Sequence, residues 1–139
     1  MKSRRIVATM MENDLFSQWL GISVEDISEG FCKLSMVVRK EMMNGFGIAH
    51  GGIAFSLADS ALAFASNSHN RKSLVLDASI SFTLQVKEGD ILTAQAEEAN
   101  LTRRTGIYHI TITNQESKKV ALFKGIVFRK DEPWFADAE

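Results

Sequence analysis

A carboxylate and a pair of glycines are the groups in this 139-residue chain best suited to chemistry. Gly51 and Gly52 directly precede residues 53–67, a run with neither Gly nor Pro, and Asp59 lies inside that run. Paired glycines at a helix entrance let a ligand come close to the backbone. The unpaired amides of the first turn and the positive end of the helix dipole then favour developing negative charge, so an oxyanion can be held there. Asp59 would stand about 10 Å further along the axis at 1.5 Å per residue, where a carboxylate can act as base or nucleophile. On the residues alone, a second reading stays open for each group. Asp59 could be a hydrogen-bonded buried carboxylate joining two elements, and Gly51-Gly52 an ordinary helix start.

The elements that must position these groups follow from hydrophobic periodicity. Residues 53–67 predict a helix of about 22 Å. Ile53, Ala54, Phe55, Leu57, Ala58, Ala61, Leu62, Phe64 and Ala65 cover most of its circumference, so it must be buried on nearly every side. Ser56, Asp59, Ser60 and Asn67 form one narrow polar stripe. Cys32, Leu34, Met36 and Val38 alternate with polar or exposed positions, the period of a half-buried strand. Leu74, Leu76, Ala78, Ile80, Phe82, Leu84 and Val86 hold one parity and predict a long strand closed by Glu88-Gly89-Asp90. Further strands are expected at 91–99, 105–114 and 120–130, joined by short turns, with Gly125 marking a bulge. Ile110, Ile112, Leu122 and Phe128 read as core first and a pocket lining second. A short helix over 10–20, capped by Gly21, precedes the sheet. The sum is an α+β domain spanning 1–139, in which about five antiparallel strands curl around one hydrophobic helix.

Composition narrows the function. Hydrophobic residues make up 45% and charged residues 24%, the balance of a globular domain. Sixteen Lys+Arg against 17 Asp+Glu leave a net charge of −1, which offers no electrostatic footprint for nucleic acid. The single cysteine, Cys32, cannot close an intrachain disulfide and suits a reducing compartment. Residues 6–11 are too short an apolar stretch for a signal or a membrane segment, so a cytoplasmic location is expected. His50, His69 and His109 are scattered, and no metal site is expected from them.

The string Asn44-x-x-Gly47-x-x-His50-Gly51-Gly52, with Asp59 following in Phe55-Ser56-Leu57-Ala58-Asp59, resembles the hotdog-fold acyl-CoA thioesterases, and within them the phenylacetate-degradation type. Asn13-Asp14, Leu20-Gly21-Ile22, Thr105-Gly106-Ile107-Tyr108 and Val120-Ala121-Leu122-Phe123 extend the resemblance over nearly the whole chain. It implies a five- to six-stranded antiparallel sheet wrapped around a central helix. Dimers continue the sheet and usually pair into tetramers, with active sites at the dimer interface. It places the catalytic acid on Asp59, as base for water or as nucleophile, and the carbonyl-polarising amide on Gly51. Asn44 and His50 then order the loop, the water or the carbonyl, and come from one subunit while Asp59 comes from its partner. Gly52, Arg103, Arg104, Thr105 and Gly106 are the expected substrate contacts, the arginines meeting coenzyme A phosphates or forming a solvated basic tip. Gly45 stands where many relatives have Pro, and Phe46 adds bulk, which bears on the acyl group.

Thioester hydrolysis suits this set of groups. The carbonyl oxygen gains charge in the tetrahedral intermediate, so a fixed amide is stronger in the transition state than in the ground state. A thiolate leaves with less help from a proton than an amine does, so one carboxylate and one oxyanion donor suffice without a Ser-His-Asp triad. The expected substrate is a short-chain or aryl acyl-CoA, with coenzyme A as carrier and product and no further cofactor. The rival expectations are a hotdog 3-hydroxyacyl-thioester dehydratase using His50 and Asp59, and a non-catalytic acyl-thioester binder.

Overall fold

The computed structural model describes residues 2–136. Two helices, α1 (Lys2–Asn13) and α2 (Leu15–Leu20), precede strands β1 (Ser23–Ser28) and β2 (Phe31–Val37). A 3-10 turn at Lys40–Met42 leads to the long helix α3 (Gly51–Asn67). Strands β3 (Ser73–Phe82), β4 (Ile91–Leu101), β5 (Thr105–Thr113) and β6 (Lys119–Arg129) complete the chain. One antiparallel sheet results, in the order β1-β2-β4-β5-β6-β3. The α3 crossover therefore carries the chain from β2 to the opposite edge, where β3 pairs only with β6 among the described residues.

The core is the contact between α3 and the inner sheet face. Cys32, Leu34, Met36, Leu92, Ala94, Ala96, Ile110, Ile112, Ala121, Phe123 and Val127 are buried there against Leu57, Ala58, Ala61, Leu62, Phe64 and Ala65 of α3. Each large side chain so buried contributes about 1.5–3 kcal/mol. Ala94, Ala96 and Gly125 keep the sheet surface low, so the helix can sit close. A Cβ at Gly125 would collide with the side chain of Leu62. Close packing is thus the reason for that glycine, and the expected bulge lies elsewhere. Gly125 pairs in register with Ala78 and Tyr108. The parity of β6 shifts instead at Val120, which is extra between the pairs Ile112–Ala121 and Thr113–Lys119, and a second irregularity falls between Val75 and Asp77 of β3.

Further expectations change, and elements without a sequence signal appear. The helix over 10–20 is two helices, because Asp14 leaves helical geometry and caps α2, its side chain accepting from the Ser17 amide. Gly21 closes α2 in the left-handed region at φ 76°, as its position predicts. Helix α1 reaches back to Lys2 and buries Ile6 and Val7. Strand β1 was not legible, since Ile27 alone among its residues is buried and no alternation results. The long strand ends at Phe82, after which Thr83 bonds to the Val120 carbonyl and Val86 accepts from the Ala49 amide. Leu122 and Phe128 point away from the core and are 42% and 36% exposed, because the odd-numbered residues of β6 from Ala121 on face inward. No helix is long and apolar enough to cross a membrane among the described residues.

Candidate active site

The entrance of α3 is built by its own cap. His50 is the N-cap, with extended backbone (φ −60°, ψ 136°), and its Nδ1 accepts from the Gly52 amide at 3.3 Å. The Ile53 amide bonds to the His50 carbonyl at 2.9 Å. No acceptor meets the Gly51 amide among the described residues, and Gly51 is exposed. Of the two glycines, Gly52 thus gives its N–H to the cap, and the N–H of Gly51 stays open. A Cβ on Gly51 would stand 3.1 Å from the Phe82 ring, so glycine lets that ring lie across the entrance.

The preceding loop is equally determined. Asn44 Oδ1 accepts from the amides of Phe46 (2.8 Å) and Ile48 (3.4 Å), and the Asn44 amide bonds to the Ile48 carbonyl at 2.8 Å. Gly47 turns the chain at φ 81°, a conformation that favours glycine. The Ala49 amide bonds to Val86 and the His50 amide to Met42, which ties the loop to the segment after β3 and to the 3-10 turn. Asn44 therefore orders the loop through its oxygen, while its NH₂ group makes no hydrogen bond among the described residues. Asn44, Ile48, His50, Gly51 and Ile53 face residues 82–86 across a cavity of about 340 Å³. That volume is in the range of small-molecule pockets.

Asp59 does not line this cavity. It stands eight residues beyond Gly51, roughly 12 Å along the helix axis. Its side chain is half-buried and makes no hydrogen bond or ion pair among the described residues. Burial raises its pKa above the ordinary aspartate value, and the nearby Asp14 raises it further. Ser60 and Asn67 of the same stripe behave differently. Ser60 Oγ lies 2.8 Å from Ser17 Oγ. Asn67 donates to the carbonyls of Ala63 (2.8 Å) and Ser73 (3.3 Å), and accepts from the amide of Ser73 and from Trp134 Nε1, both at 3.0 Å. Joining elements by hydrogen bonds is the work of Ser60 and Asn67; Asp59 takes no part in it.

The hairpin residues stand apart from both. Arg103 and Arg104 pair with Asp131 at 3.4 and 2.8 Å, and Arg71 does so at 3.3 Å. Although desolvation opposes it, the Arg104 hydrogen bond and the three guanidinium charges hold the Asp131 carboxyl below its usual range. Arg71, four residues past the end of α3, also donates to the Arg103 carbonyl at 2.7 Å. Thr105 closes the β4–β5 turn with Thr102, through Oγ1 contacts of 2.7 and 3.0 Å. Gly106 is buried, and a Cβ there would stand 3.0 Å from the Tyr108 ring. Within one chain, Asn44, His50, Gly51 and Gly52 converge at one end of α3, the Arg103–Gly106 hairpin sits at the other end, and Asp59 lies between them.

Sequence reasoning gave no site role to Asp14, Ser17 or Phe82. An aspartate three residues before a serine at the start of an apolar helical turn was the available signal for the first pair. Cys32 is buried, and desolvation pushes its thiol far above the usual range, which keeps it an inert core group. His69 pairs with Glu98 at 2.6 Å. No group of three or more His, Cys, Asp or Glu is placed to hold a metal ion among the described residues.

Comparison with known proteins places the chain in one family. Residues 46–121 match the family model of the thioesterase superfamily. The acyl-coenzyme A thioesterase PaaI of Escherichia coli K12 is 42% identical over 84% of this chain and 83% of its own length. The solved structure of the E. coli PaaI protein superposes with a TM-score of 0.93 at 39% identity, covering 95% of this chain and 96% of that one. A Streptococcus mutans UA159 protein solved with acetyl CoA bound gives a TM-score of 0.78 at 26% identity, over 81% of this chain and 90% of that one. A helix wrapped by an antiparallel sheet, an open amide at its entrance and this extent of shared sequence and shape lead to one assignment: the chain belongs to the thioesterase superfamily, with the hotdog fold.

Proposed function

We propose that the chain hydrolyses acyl-CoA thioesters in a site completed by two copies of itself. The observation that carries this reading is the pair of unengaged groups on α3: the Gly51 amide and the Asp59 carboxylate, roughly 12 Å apart along one helix. One carbonyl cannot touch both groups of one chain, whereas two helices brought alongside each other can set the Gly51 of one against the Asp59 of the other. Strand β3 supports such a pairing. It is a sheet edge, and Leu74, Val75, Leu76 and Phe82 on it are 59%, 42%, 61% and 57% exposed. A long apolar edge is a liability in an isolated monomer and a template for sheet continuation in a dimer.

In the reaction, the thioester oxygen accepts from the Gly51 amide as it becomes anionic. Asp59 takes the proton of an attacking water, or attacks the carbonyl itself to give a mixed anhydride that a water then cleaves, restoring the carboxylate. The C–S bond breaks, the thiolate leaves as coenzyme A, and the acid is released with the atoms of one water. A raised pKa makes the Asp59 carboxylate a stronger base near neutral pH. Asn44 and His50 hold the loop and the cap that aim the amide. The exposed Phe46 and the Phe82 ring at the entrance favour a short-chain or aryl acyl group. Arg103 and Arg104, with Thr105 and Gly106 shaping their turn, would meet the coenzyme A phosphates of a bound ester, and no metal or redox cofactor is called for. The relatives that act on or bind acyl-CoA support the substrate class. A cytoplasmic dimer, or a tetramer of two dimers, is the expected working form.

A thiol-release screen over acyl-CoAs of varied length and aromaticity, combined with light scattering, tests the reading. Turnover by a dimer or tetramer is expected. A fully active monomer would refute the two-copy site, and enoyl absorbance without thiol release would move the chain to the dehydratases.

A further inference from the structure

Asp59 is one of two carboxylates on neighbouring elements, and their surroundings differ sharply. Asp14 caps α2, and both of its oxygens are engaged: Oδ1 accepts from the Ser17 amide at 3.0 Å and Oδ2 from the Ser17 hydroxyl at 2.6 Å. Ser17 Oγ in turn meets Ser60 Oγ at 2.8 Å, across 43 residues of sequence. Ser17 and Ser60 are 1% and 8% exposed, and Ser60 directly follows Asp59 on α3. A chain of hydrogen bonds, part-buried at Asp14 and buried between Ser17 and Ser60, therefore fixes Asp14 to the helical turn that carries Asp59.

We propose that Asp14 is a positioning residue for the reaction: anchored through Ser17 and Ser60, it holds its carboxylate beside the helical turn of Asp59 and so tunes the proton exchange of Asp59. The inference rests on the reading of Asp59 as base or nucleophile. Two donors engage the Asp14 carboxylate, while Asp59 has none among the described residues, so the two side chains are free to play different parts. Burial and then Asp14 both raise the Asp59 pKa.

The other elements packed on α3 leave this pair alone. The inner faces of β2, β4, β5 and β6 present apolar side chains around the helix. Cys32 and Tyr108, the titratable groups among them, are both pushed upward by burial and stay neutral. Arg129 lies beyond the end of α3, where its guanidinium donates to the Thr102 carbonyl. Asp77 of β3 and Glu12 of α1 are exposed, and neither pairs with Asp59 among the described residues. In the two-copy site the partner's His50 would also face Asp59, but it does so equally in wild type and variant.

Asp14→Asn keeps a side chain that caps as well as aspartate and removes the charge. Asp14→Ser is the second charge-free cap, should the first fold poorly. Two readouts on the full chain are required: the acid limb of kcat/KM for thiol release against pH, and the carbon-13 carboxyl titration of Asp59 by NMR. Both are expected to move to lower pH in both variants, with a lower plateau kcat from the weaker base. An Asp59 titration identical to wild type overturns the coupling. A titration that moves while the acid limb stays still overturns its use in the reaction. An active Asp59→Asn protein would defeat the underlying reading, and the NMR titration would still decide the coupling separately.

Discussion

The two ends of α3 make opposite use of similar polar groups. At the C-terminal end nearly everything is satisfied within the chain. Asn67 makes four hydrogen bonds, Ser68 Oγ donates to Ala65 and accepts from Gly30, and His69 meets Glu98. Arg71 reaches the carbonyls of Arg103, Arg129 and Lys130 besides Asp131. At the entrance and along the next two turns, the Gly51 amide, the Asn44 NH₂ group and the Asp59 carboxylate have no partner among the described residues. Buried polar groups in folded proteins are normally paired. A saturated cluster is therefore explained by folding alone, whereas the unsaturated groups on the same helix are partly or fully exposed and open to a ligand.

The largest expected effect breaks the unsaturated region. Asp59→Asn should lower kcat by at least about 10²-fold, the usual scale for loss of a general base, while substrate binding and thermal melting persist. Thiol release from the best acyl-CoA, with melting as control, measures it. Full activity would place the unpaired carboxylate outside the chemistry and remove the contrast between the two ends.

The saturated end should respond in the opposite sense. Asn67→Ala leaves the Ser73 amide and Trp134 Nε1 without their acceptor. A loss of about 1–3 kcal/mol for each orphaned donor is the expected scale, read as a lowered denaturation midpoint. The kcat of the protein that remains folded should hold. A fall in kcat without loss of stability would make the C-terminal end part of the site.

The hairpin sharpens the comparison, since its arginines already have Asp131 yet remain open to solvent. Replacing both Arg103 and Arg104 by Ala should raise KM for a CoA ester with little change in kcat, because such contacts act equally on ground and transition states. At about 0.2–1 kcal/mol for each exposed ion pair, the rise is about 2- to 30-fold. A pantetheine thioester should show much less; an equal penalty would rule out the phosphate contact.

The smallest effect concerns stability and pH. Asp59 has a raised pKa when folded, so the native state binds its proton more tightly than the unfolded chain does. Its contribution is then fully present below the unfolded pKa and is lost as pH rises through the folded one. Asp59→Asn should therefore melt slightly higher than wild type at neutral pH, with the difference vanishing below the ordinary aspartate range. A variant less stable at neutral pH would mean that the carboxylate has a partner after all.

Periodicity and motif made much of this molecule readable without coordinates. The apolar circumference of residues 53–67 required a buried helix, the alternation in 32–38, 91–99 and 105–114 required strands to cover it, and the spacing from Asn44 to Asp59 carried the family resemblance. These signals are local, because side-chain direction repeats every two or 3.6 residues whatever lies opposite. Elements whose burial is set by a distant neighbour gave no such signal. Strand β1 buries Ile27 alone, α1 docks through Ile6 and Val7, and Gly125 is required by Leu62 rather than by its own strand. The polar stripe of α3 shows the same boundary most clearly. Sequence placed Ser60, Asn67 and Asp59 on one face, but Ser17, Ser73 and Trp134, which bond to the first two, and Asp14, whose charge acts on the third, come from elsewhere in the chain. Only the fold, by bringing donors and acceptors together across tens of residues, decided which of these groups would be satisfied and which left available.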